Sequence, residues 1–279
     1  MLPCQQENEI VPSENFGLTI PVDDFCGELL KHEQVDCPVI HRFGPGIYIR
    51  EFSVPAGTFV VGHYHKTDHM NVFLKGRVTM LNEDGTTSDL KAPVVFTGGP
   101  GRKMGLVTED MVQLTIHATE ETDIETLEEM YLDKSLALDE MKSIRLKAKR
   151  VGDIEGFARI VESTDAVETE TDESYYTNMP FGGYKFSISD SSIHGKGVFA
   201  SGSFEIGESV GPMKIDDKKT TLWRYTNHSE KPNAMVAVNG QGLHLMAIRE
   251  IRGNQGGLLG DEITIDYSKD FYTEGEICQ

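Results

Sequence analysis

Apolar and polar positions alternate in short runs between about residues 36 and 118: Gly46–Phe52, Thr58–Tyr64, Met70–Leu74, Arg77–Leu81 and Val112–His117. A period of two is the pattern of strands with one buried face. Gly, Pro and Asp punctuate these runs, and Asn82-Glu-Asp-Gly85 reads as a hairpin loop. Short strands at this spacing predict a sandwich or barrel. The rhythm then changes. Ile124, Leu127, Met130, Tyr131, Leu138, Met141 and Ile144 recur at helical spacing between Asp123 and about Arg150, with Asp123 as the expected N-cap. Five basic residues between Lys142 and Arg150 give that stretch a solvated face. Residues 163–174 hold five acids and no base and predict a flexible linker. Alternation returns from Tyr175 to about Tyr272, at Tyr184–Ile188, Val198–Ala200, Ala234–Val238, Leu243–Ile248 and Glu262–Asp266. The expected division is an N-terminal arm (1–35, with a short helix around 23–31), a β-barrel (36–122), a helical segment with acidic linker (123–174) and a second β-rich unit (175–279).

A chain of 279 residues fits two such units. Its 26 Lys and Arg against 45 Asp and Glu give a net charge of −19. Such a surface repels phosphate backbones and anionic lipid heads, so nucleic acid and membranes are not expected partners. It suits a cationic partner or a basic peptide substrate. No stretch approaches the ~20 apolar residues that span a bilayer. Met1–Val11 has neither a basic residue nor an apolar core, so no signal peptide is expected and the predicted location is cytoplasmic. Cys4, Cys26, Cys37 and Cys278 lack metal or framework spacing. Free thiols are the expectation, with a disulfide in the N-terminal part as the alternative.

Two constellations carry chemistry. In Gly57-TFVVG-His63-Tyr-His65-KTD-His69-MNVFLK-Gly76, His63 and His65 share a strand face and His69 follows a turn. Three imidazoles converging inside a barrel would make a site for a divalent transition metal. The spacing resembles the first cupin motif in both glycines and the first two histidines, and it has His69 where that family carries Glu. The resemblance implies a double-stranded β-helix barrel and a further histidine from a second motif. The corresponding stretch, Ala92-PVVFTGGPGRKMG, has Lys103 or Met104 near that place, and His117 is the spare candidate. Cupins commonly dimerise through sheet edges, which predicts a homo-oligomer.

The second constellation is an ordered trio: Ser192-Ile-His-Gly195-Lys196-Gly197-Val198-Phe-Ala200, then Arg224-Tyr225-Thr-Asn227-His228-Ser229 with Pro232-Asn233, then Gly260-Asp-Glu262-Ile-Thr-Ile-Asp266-Tyr267. Over residues ~176–272 this resembles the SET domain of protein lysine methyltransferases, a compact β-fold with a pseudoknot. The resemblance implies S-adenosylmethionine as cofactor and a lysine-containing basic protein or peptide as substrate. Lys196, Gly197 and Val198 would meet the cofactor's amino-acid end through backbone groups. Arg224, Asn227 and His228 would complete its pocket, and Phe271 or Tyr272 would cover the adenine. Tyr267 would orient the incoming amine, with Tyr225 as a second aromatic beside it. Only sixteen residues separate Val210 from Asn227, which implies a shallow substrate groove, and Gly253–Gly260 widens a connection beside the site. Compact SET domains of this sort are expected in bacteria and their viruses.

Three functions follow as expectations. The first is an S-adenosylmethionine-dependent protein-lysine N-methyltransferase with an appended cupin scaffold. The second is a non-catalytic structural or interaction protein built from the same two folds. The third is a metal-dependent cupin enzyme with the C-terminal half as passenger.

Overall fold

The computed structural model describes residues 12–13, 29, 32–81, 87–134, 176–216, 218–239 and 242–268. Outside them lie the expected hairpin loop at 82–85, the helical stretch beyond Lys134, the acidic linker, Phe271 and Tyr272, and, apart from residue 29, the helix at 23–31. Cys4, Cys26 and Cys278 lie outside them too. Cys37 is a free thiol whose pKa burial pushes up.

The chain is mainly β. Its first strands are β1 (Pro12–Ser13), β2 (Val39–Gly44), β3 (Ile47–Val54), β4 (Phe59–Val61), β5 (Tyr64–His65), β6 (His69–Leu81), β7 (Thr87–Lys91), β8 (Val94–Gly98) and β9 (Met104–Ala118). The runs at 70–74 and 77–81 are thus one strand, bent in the middle. Register shifts accumulate between Phe73 and Val78, where Gly76 sits at φ +93° and a Cβ would come within 2.4 Å of the Asp110 carbonyl. Only glycine permits that approach. The bend lets one end of β6 pair with β8 and the other with β7, while β9 pairs with β6, β3 and β4. The sheet therefore folds over its own apolar face, around Val54, Phe73, Val78, Val107 and Met111. The expected closed barrel is not completed among the described residues. The order runs β1-β7-β6-β9-β3-β2 and ends on β11 (Gly182–Tyr184), and no ladder joins its two edges.

Helix α1 (Ile124–Tyr131) starts where Asp123 Oδ1 accepts from Thr126 N at 2.9 Å, as an N-cap should. It ends after two turns because the chain enters β10 (Leu132–Asp133), which pairs with β5.

The C-terminal strands are β12 (Phe186–Asp190), β13 (Lys196–Ala200), β14 (Ser209–Ile215), β15 (Lys218–Lys219), β16 (Asn227–His228), β17 (Ala234–Asn239), β18 (Gly242–Ala247) and β19 (Glu262–Ile265), with the short helix α2 (Thr221–Tyr225). They form two four-stranded sheets, β12-β13-β19-β16 and β15-β14-β18-β17. β16 and β19 run parallel, which requires a long crossover between them, here β17 and β18. One apolar cluster joins the halves: Phe43, Tyr48, Ile124 and Leu127 pack with Tyr184, Phe186, Val198, Leu222 and Ile263. No helix among the described residues is long and apolar enough to cross a membrane.

Candidate functional site

The histidines of the first half gather on the strands that brought them there. His65 on β5 stacks on His69, the first residue of β6, with ring centroids 4.2 Å apart. His69 lies 5.7 Å from His117 on β9, and His117 stacks on Tyr131 of α1 at 3.8 Å. Tyr48 continues the column to His41, whose Nδ1 is 2.8 Å from the Tyr48 hydroxyl. Burial pushes the pKa of His65 down to about 3, with His69 adding to the effect, and that of His117 down to about 4. His63 stands apart from the stack on the link between β4 and β5, and burial holds it at about 3 as well. Burial opposes ionisation of Glu128, yet the Lys134 ammonium at 2.5 Å outweighs it and holds the carboxyl at about 2.

A metal needs lone pairs pointing at one centre, about 2.0–2.1 Å from each nitrogen. Stacked rings present faces to each other instead, and His69 Nδ1 is already 2.9 Å from the Thr67 carbonyl. Among the described residues no group of three or more His, Cys, Asp or Glu side chains is arranged to hold a metal ion. No step is derived through one.

In the C-terminal half the three predicted segments meet. Asn227 Nδ2 shares its two hydrogens among Glu262 Oε1 (2.8 Å) and the carbonyls of Lys196 (3.1 Å) and His194 (3.2 Å). Ser191 Oγ donates to the same Glu262 oxygen at 2.6 Å. Asn233 clamps β19 from the other side, donating to the Glu262 carbonyl (2.8 Å) and accepting from Thr264 N (2.9 Å). One asparagine and one glutamate thus lock the glycine turn, β16 and β19 together. A Cβ at Gly197 would crowd Glu262 Oε1, so a larger residue there would displace the carboxylate that Asn227 and Ser191 hold.

Tyr267 follows β19. The residue is 59% exposed, while its hydroxyl donates to the Thr226 carbonyl at 2.7 Å. Partial burial, with the Glu262 carboxylate adding to it, pushes the phenol pKa up, so the hydroxyl stays protonated. The backbone N–H of Tyr267 donates to His228 Nδ1 at 3.1 Å, which makes that ring nitrogen an acceptor. The two rings lie 5.2 Å apart.

The remaining predicted residues take various places. Lys196 is exposed and its ammonium pairs with Glu125 of α1. Val198 is wholly buried between Ile188 and Ile263, so the open part of the turn is His194–Lys196. Arg224 is exposed and packs over the rings of Tyr176 (5.7 Å) and Tyr225 (5.1 Å). Burial raises the pKa of the Tyr225 phenol. Glu262 and Asn233, the two residues that tie the junction, stand inside the quoted motifs but had been assigned no part in it; their polarity within an otherwise apolar strand setting is the signal for them.

Gly195 sits at φ +48°, a Cβ there would meet nothing within 4 Å, and the turn's backbone is therefore approachable.

No family model and no curated protein matches the chain. Solved cupin structures are similar to part of it. A cupin domain from Bordetella pertussis Tohama I is 19% identical, covers 32% of this chain and 98% of its own, and has a TM-score of 0.26. A cupin-2 domain-containing protein from Shewanella frigidimarina is 14% identical over 36% of this chain and 95% of its own, with a TM-score of 0.25. Ectoine synthase from P. lautus is 14% identical over 33% of this chain and 74% of its own, with a TM-score of 0.25.

Proposed function

We propose that the protein is an S-adenosylmethionine-dependent protein-lysine N-methyltransferase of the SET type, with the first half as a cupin scaffold that mediates self-assembly. The observation that supports it is the junction itself: Asn227 bridging Lys196 and Glu262, with the Tyr267 hydroxyl held 2.7 Å from the Thr226 carbonyl beside it. Methyl transfer to an amine needs positioning more than acid–base strength. A phenol fixed by one backbone carbonyl keeps its own lone pairs available to the substrate amine. Tyr267 would accept a hydrogen bond from that amine and aim its lone pair, while Asn227 and Glu262 hold the turn in shape. S-adenosylmethionine, when bound, would supply the sulfonium methyl, its C–S bond giving way to the new N–C bond, and the amine would lose a proton to water. The formal charge of −19 suits a basic peptide as acceptor.

Titration of the full chain with S-adenosylmethionine, followed by transfer of labelled methyl to lysine-rich peptides, tests this. Tyr267→Phe should retain cofactor binding and lose about 10²-fold or more in transfer. Absence of binding at millimolar cofactor rejects the reading and leaves the structural alternative, which the core shared between the halves favours.

A further inference from the structure

Positive charge is scarce in this chain, with 26 Lys and Arg against 45 Asp and Glu, yet one surface of the C-terminal half gathers it. Lys214 lies near the end of β14, Lys218 and Lys219 make up β15, and Arg224 belongs to α2. β14 and β15 pair with Lys214 opposite Lys219 and Ile215 opposite Lys218. Residues directly opposite share a face, and like charges placed so repel each other. An acidic chain could have set a carboxylate against either lysine and does not.

Aromatic rings stand where carboxylates would be expected. Lys214 Nζ is 4.6 Å from the centre of the Trp223 ring, and Lys219 Nζ is 5.8 Å from it. Tyr176 bridges to Lys219, whose carbonyl accepts from Thr177 N at 2.8 Å. Arg224 in turn packs over Tyr176 and Tyr225. The row therefore runs unbroken from Lys214 to Tyr225. A ring face holds a cation electrostatically and leaves its full charge in place, whereas a carboxylate would hold and cancel it. Among the described residues, no carboxylate is in ion-pair contact with Lys214, Lys218 or Arg224. Lys218 and Arg224 are exposed. Acids do adjoin the row: Asp216 is exposed between β14 and β15, and Asp123 and Glu129 act on the Tyr225 phenol. Asp123 is already engaged with Thr126 N and the Thr221 hydroxyl.

We propose that this surface docks an acidic peptide segment of a partner protein, with its carboxylates on Lys214, Lys218 and Arg224. A guanidinium stacked on rings keeps its N–H edge for a carboxylate. Because the rings already order these cations, less side-chain freedom is lost on binding. A nucleic-acid strand fits less well. Bases stack on open ring faces, and a cation already lies over a face of Trp223, Tyr176 and Tyr225. A long polyanion also extends past the ~8 Å over which salt leaves charge unscreened, and there it meets the acid surplus. The inference goes beyond the methyl-transfer reading and does not depend on it.

Fluorescence anisotropy of the full chain without cofactor tests it. The probe is a labelled Glu-Ala repeat peptide of about ten residues, with a Gln-Ala peptide and an oligothymidylate of similar length as controls. The acidic peptide should bind in low salt with a dissociation constant of about 100 μM or tighter, and should weaken as salt is raised. Lys214→Glu with Lys218→Glu should weaken it about tenfold or more. Lys91→Glu with Lys103→Glu makes the same charge change at exposed places in the first half and should leave binding nearly unchanged. If the first pair does not fold, Arg224→Gln decides alone. Replacing the five acids of residues 163–174 by their amides should also leave binding unchanged. The proposal is overturned if the acidic peptide does not bind, if either control binds as tightly, if the folded variants of the row bind like the parent, or if only the chain lacking those five acids binds, since its own acids would then be the occupant. Because no cofactor is present, none of these results bears on methyl transfer.

Discussion

His65 and His69 meet face to face with centroids 4.2 Å apart, and His117 lies tilted 5.7 Å from His69, whereas His228 meets its partner edge-on, through an Nδ1 that accepts from Tyr267 N at 3.1 Å. The same side chain is used in two ways. Stacking removes rings from water, which stabilises a sheet but directs no lone pair at a ligand. An edge-on bond makes one ring nitrogen an acceptor and leaves the opposite nitrogen at an exposed position. The aromatic residues follow the same division. Tyr48 is buried in the column, while Tyr267 keeps its hydroxyl bonded and stays largely exposed. Residue types alone therefore do not separate a packing cluster from a reactive one. The direction of the polar edges does.

The sharpest way to break this comparison is to ask whether the two regions fold separately. Leu127 of α1 is fully buried in the cluster that joins both halves. Leu127→Ala should cost about 2–5 kcal/mol. Calorimetry should show a single transition moved to lower temperature. Two transitions of which only one moves would mean that the cluster is not shared energetically. A smaller effect tests the stack. His41 is held near 3 by burial against an ordinary value of 6.5. As pH falls below 6.5 the unfolded chain takes up this proton and the folded chain does not, until about 3. Stability is thus fully present above pH 6.5 and declines across that window. At about 1.36 kcal/mol per unit, the loss between pH 6.5 and 5 is about 2 kcal/mol. Urea unfolding at pH 7 and 5 should reveal it, with His117 adding to it in the same direction. His41→Phe should be less stable at neutral pH, because the Tyr48 hydroxyl loses its partner, yet should flatten the pH dependence. An unchanged slope would show that His41 is not buried as a neutral ring.

Much of the strand content was legible because period-two alternation survives wherever one face meets a core. Residues 234–238 and 243–248 correspond closely to β17 and β18. β14 escaped, since Gly211 and Pro212 interrupt its pattern and Val210–Met213 are buried without alternation. The long helix from Asp123 was legible at its cap and not at its end, because the turn into β10 is set by pairing with Tyr64 and His65, far away in sequence. The ordered trio drew attention to the segments around Asn227 and Tyr267, since each is continuous in sequence. The shared lining of Arg50, Arg102 and Asn254 was not legible, since the three belong to distant segments and only folding brings them to one cavity.

The smallest effect separates side chain from backbone at the glycine turn. Lys196 meets the two regions at once: its ammonium pairs with Glu125 on α1, while its carbonyl accepts from Asn227 in the junction. The ammonium side is partly exposed, 40% for the lysine side chain against 14% for the glutamate, so the pair is screened and worth about 0–1 kcal/mol. Lys196→Ala should therefore lower stability by no more than that, and the difference should shrink in high salt. The backbone carbonyl survives the substitution, and with it the bond from Asn227. If the junction works through backbone groups, Lys196→Ala should bind S-adenosylmethionine like the parent. A large loss of binding with stability intact would instead assign the ammonium itself to the cofactor.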